Sequence, residues 1–134
     1  MSTMIFVNLP VKDLERSKEF FTKLGYSFNP QFSDENAACL VISETIYSML
    51  LTEEFFKTFT KKQLADTGTH QEALIGLSAD SREAVDELAD RALAAGGTAA
   101  GDPVDMDGMY GRSFYDLDGH HWEVMWMDPA AVQG

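Results

Sequence analysis

The side chains best suited to chemistry gather near the C-terminal end, in Asp116-Leu-Asp-Gly-His-His-Trp-Glu123. The run from His120 to Met127 reads as a strand, and its period of two puts His121, Glu123 and Met125 on one face and Trp122, Val124 and Trp126 on the other. An imidazole beside a carboxylate can move a proton or lend two donors to a metal ion. A tight transition-metal site needs about three or more N, O or S donors at about 2.0–2.3 Å, so His70 or Asp118 would have to fold over to complete one. The alternative for His121 is a hydrogen-bonded histidine at a strand end, and His120 is expected to face solvent. Cys39 lies in an apolar run, where a lone cysteine is a small core residue. Gly96-Gly97 ends a helix, the wrong dipole end for an anion, so no phosphate-binding loop is present. Gly108-Met-Tyr-Gly111 reads as a hairpin turn from which Tyr110 could reach a ligand.

The elements that must position these groups come in two similar series. Met4 to Val11 reads as a strand, followed by a helix capped by Asp13, carrying Leu14, Phe20, Phe21 and Leu24, and stopped by Gly25. Three short strands follow, Tyr26 to Phe32, Ala37 to Ile42 and Tyr47 to Thr52. The order then returns: a strand from Ala73 to Ala79, and a helix capped by Ser81 with Val85, Leu88, Ala89 and Ala92 on one face. Its three strands are Thr98 to Val104, Gly111 to Asp116 and His120 to Met127. Sliding the chain against itself by 68 places matches Leu9 with Leu77, Asp13 with Ser81 and Phe20 with Leu88, as a duplicated β-α-β-β-β module would. The reading is one domain over residues 1–134, with module 1 about 1–52, a linker about 53–72 and module 2 about 73–128. In the linker, Phe55, Phe56 and Phe59 share one side of a short helix, which either pins the segment to the body or covers a cavity.

Phe6-Val-Asn-Leu-Pro-Val-Lys-Asp-Leu-Glu-Arg-Ser-Lys-Glu-Phe-Phe-Thr-Lys-Leu-Gly25 resembles the opening motif of the vicinal oxygen chelate superfamily, which includes glyoxalase I, bleomycin-resistance proteins and extradiol dioxygenases. Asp116 to Glu123 resembles its closing motif. The resemblance implies an α+β fold in which two β-α-β-β-β modules curl their sheets into an open, cup-like half-barrel. It also implies metal ligands, in the metal-dependent members, at one place on the first strand of each module and on later strands. Carried over, these places are Phe6, Leu74, about Met49, and Glu123, of which only Glu123 can ligate. The glutathione-dependent lyases of the family carry an arginine four residues after the first-strand ligand, where this chain has Pro10, so glyoxalase I activity is not expected.

No metal and no other cofactor is therefore expected. Glu123 keeps two readings: a relic carboxylate bonded to Asn8, or a general base desolvated by Phe6, Met49 and Leu74. The cavity, with Phe6, Asn8, Met49, Leu74, Tyr110 and His121 around it, is expected to bind a small organic molecule. The alternative is a metal-dependent lyase, isomerase or dioxygenase with a rearranged site.

Composition bounds the partners. The chain has 134 residues, 45% of them apolar, which suits a single packed domain. A net charge of −12 opposes nucleic acid and anionic membrane. One cysteine allows no internal disulfide, and residues 1–14 carry no apolar segment behind basic residues, so a cytoplasmic protein is expected. Curled sheets leave edges and apolar surface that a two-fold partner can cover, so a homodimer is expected.

Overall fold

The structure is a computed structural model that describes residues 2–132. The chain divides between Ala65 and Asp66 into two compact units, each an α+β layer of one sheet and one principal helix.

In the first unit the order is β1 (Ile5–Val11), α1 (Leu14–Lys23), β2 (Ser27–Asn29), β3 (Ala37–Val41), β4 (Ile46–Thr52) and the short α2 (Glu53–Phe56). Sheet order is β1-β4-β3-β2, with β1 parallel to β4 and the other pairs antiparallel. Asp13 caps α1 by accepting from the Arg16 N–H at 3.2 Å, and Gly25, at φ 106°, supplies the left-handed turn that ends it. Leu14, Ser17, Phe20 and Phe21 form the buried stripe of α1, packed over β3 and β4. Beneath it Leu9, Val11, Ala38, Leu40 and Leu50 are all buried; a fully buried leucine contributes about 1.5–3 kcal/mol. The strand expected from Tyr26 to Phe32 is shorter, because Pro30 has no N–H for the ladder and Asn29 instead caps a 3-10 turn at Pro30–Phe32. Thr52 caps α2, but Phe59 is 69% exposed and does not pin the segment; it meets Phe55 edge to face at 5.1 Å.

The second unit repeats the plan with β5 (Leu74–Ser78), α3 (Arg82–Ala94), β6 (Thr98–Ala99), β7 (Val104–Met106), β8 (Met109–Tyr115), β9 (His121–Met127) and α4 (Pro129–Val132). Its sheet order is β5-β9-β8-β6, with β7 pairing β8 and with β5 parallel to β9. Ser81 caps α3 by accepting from the Ala84 N–H at 3.0 Å, 68 places after Asp13. Val85 and Ala89 pack on Val124, joined by Ala79, Leu88, Tyr110 and Trp126. Where one strand was expected from Thr98 to Val104 there are two, because Gly101-Asp102-Pro103 interrupts the ladder and Pro103 cannot donate to it. The hairpin turn falls at Asp107-Gly108, not across Gly108 to Gly111, which draws Tyr110 into β8. No helix among the described residues is long and apolar enough to cross a membrane.

Candidate functional site

Each sheet has one face under its helix and one face open. In the first unit, pairing of Phe6 with Tyr47, Asn8 with Met49, and Cys39 with both Met49 and Asn29 places these side chains on the open face. All but Asn8 border a cavity of about 260 Å³ lined by Met4, Phe6, Asn29, Phe32, Cys39, Tyr47 and Met49. The Phe6 and Tyr47 rings stack with centroids 5.0 Å apart and planes 11° from parallel. The Tyr47 hydroxyl donates to the Glu44 carbonyl at 2.9 Å, and the Asn8 amide donates to the Phe6 carbonyl at 3.1 Å. Cys39 is buried, and burial pushes its thiol above the usual range, so it is a poor nucleophile at neutral pH.

In the second unit the open face carries Leu74, Gly76, Ser113, Tyr115, His121, Glu123 and Met125. The alternation expected of β9 holds: Trp122 and Val124 are buried, while His121, Glu123 and Met125 are not fully covered. Glu123 and Met125 line a pocket of about 480 Å³ with Gly76 and Ser78. Gly76 stands opposite Glu123, and a Cβ there would meet nothing within 4 Å, so the space beside the carboxylate is open. His121 Nε2 lies 3.3 Å from Glu123 Oε1 without the alignment of a hydrogen bond, and this buried nitrogen has no hydrogen-bond partner. The Tyr115 ring stands edge-on to His121 at 5.5 Å.

The two registers correspond. Phe6 pairs Tyr47 and Asn8 pairs Met49, as Leu74 pairs His121 and Gly76 pairs Glu123. Phe6 and Leu74, 49% and 62% exposed, therefore hold equivalent positions on the open faces of their own sheets, as do Met49 and Glu123.

Two expectations are corrected. Tyr110 is not on the open face: pairing with Trp126 turns it toward α3, where its hydroxyl donates to Asp86 Oδ1 at 2.6 Å and Arg82 lies over its ring. Hydrogen bonds from Tyr110 and then Arg112 hold the Asp86 carboxyl below its usual range, and Asp86 in turn pushes the Tyr110 hydroxyl up. His120 does not face solvent; it is 1% exposed, with Nδ1 2.7 Å from Glu72 Oε1. Nearby, Asp116 accepts from the Trp122 indole at 2.9 Å and from the backbone N–H groups of Asp118 and His120. Burial pushes its carboxyl up, against the opposing pull of His120 and these donors. The readable signal for this cluster was Trp122 itself, since a buried indole N–H needs an acceptor.

Residues 3–43 match the bleomycin resistance protein-like N-terminal family. The hypothetical protein SA1046 of S. aureus is 31% identical, with 94% of this chain and 95% of that one covered at a TM-score of 0.78. A glyoxalase/bleomycin resistance protein/dioxygenase family enzyme of Burkholderia phytofirmans PsJN aligns over 94% of this chain and 99% of its own, at 17% identity and a TM-score of 0.76. This chain belongs to the vicinal oxygen chelate superfamily. The fosfomycin resistance protein FosX of Listeria monocytogenes shares the fold at 20% identity and a TM-score of 0.68, over 97% of each chain. No curated protein matches the sequence.

Metal-dependent members of the superfamily imply a metal, and the residues present here at the corresponding positions do not fit one. At the positions carried over, phenylalanine and leucine have no donor atom, the Met49 thioether is a weak soft ligand, and Glu123 alone is a strong one. Among the described residues no group of three or more His, Cys, Asp and Glu side chains could hold a metal ion.

Proposed function

We propose that this vicinal oxygen chelate protein binds a small organic molecule on the apolar open face of its first sheet, without a metal ion, as a binding or sequestering protein of the bleomycin-resistance kind. The observation that supports this most is the cavity beside Phe6, Tyr47 and Met49, where metal-dependent relatives would need donors and this chain offers hydrocarbon and aromatic rings. The open sheet of the second unit, with exposed Leu74 and Met127, suits a homodimer contact. The unbridged Cys39 suits the reducing cytoplasm. The test is elemental analysis of protein purified without chelator or added metal, together with a glutathione and methylglyoxal assay in added nickel or zinc. Metal content below roughly one-third equivalent and no turnover are expected. Stoichiometric metal lost in Glu123→Ala, or turnover above background, would overturn the reading.

A second reading makes Glu123 a general base. It is supported by the carboxylate's place in a pocket with open space over Gly76 and an imidazole 3.3 Å away. It also admits the lyase, isomerase or dioxygenase alternative, since one FosX structure of Listeria monocytogenes is a complex with Mn(II) and 1S,2S-dihydroxypropylphosphonic acid. Glu123→Gln would abolish turnover of any substrate found, whereas a relic carboxylate would leave binding unchanged.

A further inference from the structure

We infer that the ligand of the first-unit cavity is an uncharged, flat aromatic molecule of two or three rings; this rests on the small-molecule reading above and names the chemical class. Three features of the cavity converge on it.

The first is ring geometry. Phe6 stacks on Tyr47, is 49% exposed and borders the cavity. Phe32, 63% exposed, borders the same space. An exposed phenylalanine held in place by a stacked neighbour is an aromatic platform, and offset stacking on it adds to simple area burial.

The second is the absence of charge. None of the seven lining residues is Asp, Glu, Lys, Arg or His, and the Tyr47 hydroxyl already donates to the Glu44 carbonyl. An ionised group seated there would lose water and find no opposite charge, only neutral groups such as the Asn29 amide. The overall charge of −12 adds a long-range bias against anions.

The third is size. A dry apolar cavity of about 150 Å³ holds benzene. The space here, about 260 Å³ and open on one side, takes a larger ring system but not a helix about 10 Å across.

N-phenyl-1-naphthylamine and 8-anilino-1-naphthalenesulfonate test this directly, since they share one aromatic frame and differ by a sulfonate. Fluorescence titration of the full chain is expected to give one site for the neutral probe, with a Kd at least about tenfold below that of the sulfonate. Phe6→Ala is expected to weaken the neutral probe by roughly fivefold to tenfold, with Phe32→Ala weakening it in the same direction. Both truncated rings are largely exposed, and far-UV circular dichroism checks that the variants fold. Equal or tighter binding of the sulfonate would overturn the inference while leaving the small-molecule reading intact. Unchanged affinity in Phe6→Ala would overturn it as well, by placing the probe elsewhere. Probe binding that weakens as protein concentration rises would mean that a second copy covers this face, and would also overturn it. Failure of the neutral probe to bind would likewise overturn the inference, whereas the small-molecule reading falls on the metal and turnover measurements given above.

Discussion

His120 Nδ1 lies 2.7 Å from Glu72 Oε1, so a residue just ahead of β5 is tied to the turn that launches β9. An ionised carboxylate can only accept, so Nδ1 carries the proton. The same strap is fastened by the Thr67 hydroxyl, which donates to the Asp118 carbonyl. It is close enough that a Cβ on Gly119, at φ +80°, would come within 2.6 Å of Thr67 Oγ1.

Removing the buried imidazole should therefore loosen the second unit. His120→Ala leaves a cavity and takes the imidazole partner from Glu72, and is expected to cost about 2–4 kcal/mol in urea unfolding. A loss below about 0.5 kcal/mol would mean that Glu72 and His120 do not hold the turn.

Asp116 gives a pH signature of definite sign. Burial raises its carboxyl in the folded protein, so the native state holds that proton more tightly than the unfolded chain does. Its contribution is complete below the ordinary value of 3.8 and is lost as pH rises through the folded-state value. Asp116→Asn cannot titrate, although its NH₂ replaces an acceptor that Trp122 uses. The stability gap between wild type and Asp116→Asn should thus narrow as pH rises from about 4 to about 7. A gap that widens would show that the donors and His120 outweigh burial.

Tyr110→Phe separates the two faces of the second sheet. It deletes the hydrogen bond to Asp86, so a carbon-detected NMR titration should find the Asp86 carboxyl shifted up toward the ordinary range, with Arg112 still holding it partly down. Binding of N-phenyl-1-naphthylamine should remain within about twofold of wild type, because Tyr110 packs under α3.

Much of the fold was legible because it is locally encoded. The caps at Asp13 and Ser81 work within three residues, and the alternation from His121 to Met127 follows from strand pleating. Tyr110 was misplaced because an Asp107-Gly108 turn draws it into β8, and strand alternation then decides which face it joins. His120 reads as a polar residue after a glycine turn. It is buried and meets Glu72, 48 positions earlier, and no local pattern carries that information.

The sequence by itself determined the class of fold, the duplicated order of elements and the lack of donors at Phe6 and Leu74. These depend on side-chain type and on periods of two and 3.6 residues, which hold wherever the segment lies. Only the tertiary structure decided which rings meet across paired strands, as Phe6 meets Tyr47, and which polar groups are taken out of water, as Asp116 and His120 are. Desolvation and stacking depend on neighbours far away along the chain, and strand pairing brings them together only when the sheet forms.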